Sequence, residues 1–258
     1  YEKAAFLTAV RLGRAVGVSE STVVRFAMEL GYDGYPSMQR DLQELVLKRL
    51  NSVQRIEVAC DRLKDQDVVD TVLESDMDKI RKTMEGLDRG DFRAAVSAVL
   101  RARRIYILGV RSSASLAEFL KYYLQYMFDD VHLITASGAG EMCEQLVGVS
   151  SEDTVFALSF PRYAPATGKG VCFCRDRGAV VVGMTDSRES PVGVCSDFVL
   201  CAKSDMVSLV DSLVAPLSLI NAFIVAVAAR RNRELTKTFG RLERIWEQYD
   251  VYEKADGE

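Results

Sequence analysis

Five short apolar runs punctuate residues 104–202 of this 258-residue chain: 104–109 (RIYILG), 131–135 (VHLIT), 154–159 (TVFALS), 179–185 (AVVVGMT) and 198–202 (FVLCA). They are rich in β-branched residues, and segments of helical length separate them. Strands alternating with helices form a parallel sheet. Strands apolar on both faces require cover on both sides. The fold class is therefore α/β, with a five-stranded parallel sheet flanked by helices. Ligands of such sheets bind beyond the carboxyl ends of the strands, where the strand order reverses. The loops after the first three strands are the places to look.

The first of these loops reads GVRSSAS over 109–115 and opens an apolar helix. Hydroxyls and free N–H groups at a helix N-terminus attract anions. Ser112, Ser113 and Ser115 are candidate phosphate ligands, although serine is also an ordinary helix cap there. The third strand ends in SFPRYAPAT over 159–167, which adds Ser159, Arg162, Tyr163 and Thr167. The second strand runs into SGAGE over 137–141 and brings Glu141, with Glu144 one turn on. Hydroxyls, a guanidinium and a carboxylate at one mouth suit a phosphorylated polyol: phosphate on the hydroxyls and N–H groups, sugar hydroxyls on glutamate.

The first thirty residues carry a different signal. In AVRLGRAVGVSESTVVRFAMEL, over 9–30, Gly17 falls where a helix must stop and the backbone needs a positive φ. Gly13 permits close approach of a second helix, Val18 is expected to be a buried turn residue, and Ser19 is an N-cap. Val23, Phe26, Ala27 and Leu30 then recur at helical spacing and are expected to form one buried stripe. Ser19, Ser21, Thr22 and Arg25 lie at the start and on the opposite face, the arrangement of a helix-turn-helix that reads the DNA major groove. A long helix follows from Pro36, with Met38, Leu42, Leu45 and Leu50 on its apolar side.

Charge agrees with nucleic acid at one end only. Residues 1–55 hold 8 basic and 6 acidic side chains, against 25 and 31 in the rest, and the chain as a whole carries −4. Six cysteines (60, 143, 172, 174, 195, 201) form no CxxC pair, and there is one histidine, His132, expected in a strand and in the core. No metal site and no cofactor are expected, and the cysteines read as buried reduced thiols of a cytoplasmic protein. No cleavable leader is visible. Residues 207–229 have membrane-spanning length, but Asp211, Pro216 and Asn221 interrupt them, so a buried core or interface helix is expected.

The motifs GVSESTVVRFAMELGYDGYP, ILGVRSSASLAEFL, SFPRYAPAT, SLVDSLVAPLSLINAFIVAVA and RLERIWEQYDVY, in that order, resemble the RpiR-type (MurR/RpiR) transcriptional regulators, over nearly the whole chain. In that family a helix-turn-helix head is joined to a sugar-isomerase (SIS) domain. The resemblance implies sugar-phosphate contacts from Ser112, Ser113, Ser159 and Thr167, operator DNA contacts from the 19–25 segment, and further helices ahead of Tyr1. Two departures bear on the pocket. Arg111 stands where the general SIS loop has a second glycine, and SFPRYAPAT replaces the usual Ser-x-Ser-Gly-x-Thr loop.

The expected division is a helix-turn-helix domain over 1–52, a polar linker over 53–75, and a SIS domain over 76–258. Residues 207–229, the tyrosines of the helix after the first loop, and the stripe Leu235, Phe239, Leu242, Ile245, Trp246 and Tyr249 exceed what one sheet domain covers. A homodimer or tetramer held by the SIS domain is expected, with a double-stranded operator and a sugar phosphate as partners and no membrane. The alternative is a phosphosugar isomerase or lyase using Glu141 as base. The polar face Ser21, Thr22 and Arg25, for which an enzyme has no use, favours a regulator without catalytic residues.

Overall fold

The computed structural model describes residues 4–49, 53–54, 56–57, 67–136, 138–204 and 211–253. Contacts gather into two units, residues 1–75 with 205–212 and residues 76–204 with 213–258. Leu50, Cys60, Ser137 and residues 207–210, named above, lie outside the described residues.

In the first unit a short 3-10 turn (Ala4–Phe6) precedes α1 (Ala9–Val16), α2 (Glu20–Glu29) and α3 (Tyr35–Arg49). Gly17 ends α1 at φ 75°, and the Val18 N–H donates to Gly13 O at 2.9 Å. A Cβ on Gly13 would stand 2.7 Å from Val18 O, so the turn can fold back only over glycine. Val23, Ala27, Tyr35 and Met38 form the core, with Leu12 against it. The Tyr35 phenol donates to Leu7 O at 2.7 Å, and Gln39 Nε2 donates to the same oxygen at 2.7 Å, which pins the entry to α1.

The expected stripe on α2 is only half right. Val23 and Ala27 are buried, whereas Phe26 is 54% and Leu30 56% exposed, and Val18 is exposed as well. The packing partners cover a strip one residue wide at i and i+4, narrower than the four-position stripe. On α3, Met38 and Val46 are buried and Leu45 is exposed, so the covered side passes through Val46 rather than Leu45.

The second unit contains most of α4 (Val68–Gly86), then α5 (Arg89–Arg101), β1 (Ile105–Gly109), α6 (Ser113–Leu124), β2 (Val131–Ile134), α7 (Ala139–Gln145), β3 (Thr154–Leu158), α8 (Pro165–Asp176), β4 (Val180–Thr185), β5 (Phe198–Cys201), α9 (Val214–Arg230) and α10 (Asn232–Gln248). Asp88 caps α5, its Oδ1 accepting the Gly90 and Asp91 N–H groups. All five expected strands are present in one parallel sheet of order β2-β1-β3-β4-β5. Ile105 pairs with Val131 on one side and Thr154 on the other.

Side chains alternate between two cores, as a pleated strand requires. Ile105, Ile107, Phe156, Leu158, Val182 and Met184 pack with α5, α6 and α9. Tyr106, Leu108, Val155, Ala157 and Val181 pack with α7 and α8. Every residue of β1 and β3 is buried, which explains their unbroken apolar runs. At the amino end of the sheet, Arg103 grips buried Asp153 through two bonds of 3.1 Å.

Two expectations fail here. His132 lies in β2 but is exposed: β2 is an edge strand, so the imidazole reaches solvent, pairs with Asp130 and stacks on Tyr106 at 5.0 Å. Cys172 and Cys195 are not free thiols but form a disulfide. Of the 207–229 stretch, the described helix is α9, and its Phe223 is fully buried against Phe156. No single described helix is long and apolar enough to cross a membrane; α9 and α10 reach that length together but bend by 98°.

Candidate functional site

The strand order reverses between β1 and β3, so the crevice lies at their carboxyl ends. Gly109 closes β1. A Cβ there would stand 2.7 Å from Ser113 O and 2.8 Å from Ala117 Cβ, so glycine lets α6 start directly against the strand. The loop turns through Arg111 at φ 58°, the left-handed region. A glycine there, as in the general SIS loop, takes this conformation without strain.

Ser112, the residue before α6, has helical φ and ψ and does not cap the helix with its side chain. Its hydroxyl is therefore not spent on the backbone, contrary to the ordinary role of serine there. Ser113 is buried in the first turn. Ser115 is spent, donating its hydroxyl to Ser112 O at 2.9 Å.

On the other side of the crevice, Ser159 follows β3, buried, its N–H donating to Met184 O at 3.1 Å. α8 begins at Pro165, the residue type suited to the first helical position, and no side chain caps it. Thr167 is in its first turn, 0% exposed. Among the described residues, Thr167 Oγ1 is a buried oxygen without a hydrogen-bond partner.

Arg162 is exposed on the loop between. Tyr163 donates its phenol to Asp186 Oδ1 at 2.6 Å, and Thr185 Oγ1 donates to the same oxygen at 3.2 Å, tying the third loop to the fourth. Burial, and then Asp186, push the Tyr163 phenol far above its ordinary range, so it stays a donor. Glu141 is exposed in the first turn of α7, after β2.

All six nominated residues thus fall on loops or first turns at the carboxyl end of β1, β2 and β3. An open groove of about 830 Å³ lies elsewhere, along α8, lined by Tyr163, Pro165, Lys169, Phe173, Pro191 and the disulfide, among others. None of the six lines it; the hydroxyls and the two helix starts without a side-chain cap lie at the switch point instead. The groove's cysteine pair is not legible in the sequence. Its members lie 23 residues apart, with no spacing signature.

In the head, Ser19 caps α2, its Oγ accepting the Thr22 N–H at 3.2 Å. The Ser19 hydroxyl also bonds those of Ser21 and Thr22 at 2.8 Å each. Ser21 and Arg25 are exposed, and Thr22 is half-buried.

The fold and the crevice define a SIS domain, and residues 99–226 match that domain family. An uncharacterized helix-turn-helix-type transcriptional regulator of Haemophilus influenzae is 28% identical over 192 residues, 73% of this chain and 66% of its own length. The sugar isomerase domain of an RpiR transcription factor from Sphaerobacter thermophilus superimposes with a TM-score of 0.66 at 24% identity, over 69% of this chain and 99% of that one. The NanR protein of Vibrio vulnificus, complexed with ManNAc-6P, does so with a TM-score of 0.61 at 21% identity, over 96% and 88%. Residues 99–226 are a SIS domain, and over most of its length the chain is similar to RpiR-type helix-turn-helix transcriptional regulators.

Proposed function

We infer that this protein binds operator DNA through residues 1–52, by way of Ser19, Ser21, Thr22 and Arg25, and that a phosphorylated sugar in the crevice of residues 76–258 modulates that binding. Residues 53–75 link the two functions. The phosphate sits on Ser112, Ser113, Ser159 and Thr167, with Arg162 as charge partner, and Glu141 takes sugar hydroxyls. Thr167 carries the reading. A buried hydroxyl without a partner costs about 1–3 kcal/mol, and this one lies in the uncapped first turn of α8 at the switch point. A ligand oxygen supplies the missing partner. The similar NanR protein of Vibrio vulnificus is complexed with ManNAc-6P, which supports a ligand of this kind here.

The working form is a homodimer, or a dimer of dimers, held by the SIS domain. Support comes from the aromatic surface of α6 and α10: Tyr126 touches Phe239 at 5.4 Å, while Tyr122, Tyr123, Ile245 and Tyr249 remain exposed. Two heads then meet the two halves of a palindromic operator. A cytoplasmic location and the lack of turnover belong to the same reading. The test is a panel of sugar phosphates in thermal shift, followed by NMR of each binder after incubation. A ligand at 100 times its Kd adds about 2.7 kcal/mol. One ligand that stabilises the protein and stays chemically unchanged is expected. Turnover that vanishes in Glu141→Gln makes the protein an enzyme instead.

A further inference from the structure

The disulfide between Cys172 and Cys195, whose Cα atoms are 5.4 Å apart, ties the eighth residue of α8 to the 3-10 turn Gly193–Cys195 that leads from β4 to β5. Two further contacts run along the same seam. Arg175 Nη1 donates to Val194 O at 3.0 Å. A Cβ on Gly168 would lie 3.3 Å from Pro191 Cβ. α8 is held against the 190–195 segment from Gly168 to Arg175, and Thr167 is the residue just ahead of that seam.

Both disulfide cysteines are half-buried, and both line the open groove of about 830 Å³. The groove is open to solvent, so a small thiol or peroxide can approach the pair through it. Lys169, three residues before Cys172, and Asp176, four residues after it, line the same groove. Cys174 differs. It is fully buried, and burial pushes its thiol up to about 12, so it stays protonated and inert. Cys143, on α7, lines the same groove as a free thiol.

We propose that Cys172 and Cys195 are a reversible two-electron redox site that couples the surrounding peroxide and thiol pool to anion binding at the start of α8; the coupling rests on the ligand reading above. In oxidation, the Cys172 thiolate attacks hydrogen peroxide, one water leaves after protonation, and a sulfenic acid remains. The Cys195 thiol attacks that sulfur and expels the second water. Two thiols lose two electrons and two protons, and the peroxide becomes two waters. In reduction, a dithiol attacks one sulfur of the bond, frees the other as a thiol, and closes its own disulfide to release the first. In a reducing compartment a disulfide that forms is usually transient and redox-sensing. Formed, the bond shortens the range of positions open to α8 and pre-organises Thr167. Broken, it leaves the seam to one hydrogen bond and packing.

The test uses the wild-type chain in oxidised glutathione and in dithiothreitol, with thiols trapped by alkylation and mapped by mass spectrometry, and inorganic phosphate titrated by calorimetry. Expected are a Cys172–Cys195 peptide pair in the first buffer and both cysteines alkylated in the second. Reduction should lower Tm by about 5 °C or more and weaken phosphate about threefold or more. The C172S/C195S variant should behave as the reduced form in both buffers; should it fail to fold, the two buffers applied to wild type carry the comparison. Equal alkylation in both buffers, pairing with Cys143, or phosphate affinity indifferent to redox state overturns the proposal. Phosphate bound by neither form, with the pair opening and closing as expected, overturns the ligand reading and the coupling with it.

Discussion

Thr167→Val removes one oxygen and adds one methyl group at a fully buried position. In most buried threonines this change breaks a hydrogen bond and destabilises. Thr167 Oγ1 has no such bond to lose. Its desolvation is uncompensated, and that penalty is about 1–3 kcal/mol. Valine keeps the shape and removes the penalty, so the ligand-free protein should gain roughly 1 kcal/mol after imperfect packing of the new methyl. For a chain of this size that is about 2–4 °C in Tm. The bound state moves the other way. A hydroxyl donating to a phosphate oxygen is worth about 1.5–3 kcal/mol, so Kd for the cognate sugar phosphate should rise roughly 10- to 150-fold. Differential scanning fluorimetry without ligand and calorimetry with it read the two effects separately. A variant that melts lower than wild type and binds unchanged would falsify the reasoning, since the hydroxyl would then serve the fold and not the ligand.

Arg25→Ala should lower specific operator affinity by about 1–3 kcal/mol at fixed salt if the guanidinium reads a guanine edge; unchanged gel-shift affinity removes Arg25 from the interface. Burial alone would raise the Asp153 carboxyl, but the Arg103 bonds and those from Ser150 outweigh it and hold it below the usual carboxylate range. Its contribution is therefore fully present above the unfolded value, about 3.9, and is lost as pH falls through the lower folded value. Urea melts of Asp153→Asn should show a loss of about 1–3 kcal/mol at pH 7 that shrinks below pH ~4; a loss that is constant down to acid pH excludes the ion pair as its source. Light scattering of the intact chain at micromolar concentration should give a dimer or larger, and a monomer leaves ligand and DNA without a common carrier.

Local sequence determined the elements and their order. Five β-branched apolar runs could become only covered strands, and Gly13, Gly17 and Ser19 could form only the turn between α1 and α2, because these preferences act over a few bonds of backbone. The carboxyl-end loops followed from the same pattern, so Ser113, Ser159 and Thr167 were legible as a group before any fold was seen. What the side chains meet was not legible. His132 sits in an apolar run that reads like the others, and only the order β2-β1-β3-β4-β5 makes its strand an edge. Ser112, Ser113 and Ser115 are indistinguishable in the sequence; the helix register spends the last of them on Ser112 O, buries Ser113 and leaves Ser112 exposed. Phe26 and Leu30 share a stripe with Val23 and Ala27, yet cover depends on how wide a strip the neighbouring helices reach. Cys172 and Cys195 meet only because β4 and its following turn return the chain to the flank of α8. Covalent geometry and local propensity are written residue by residue, whereas burial, pairing and orphaned polar atoms arise from segments far apart in the chain, and only their packing decides them.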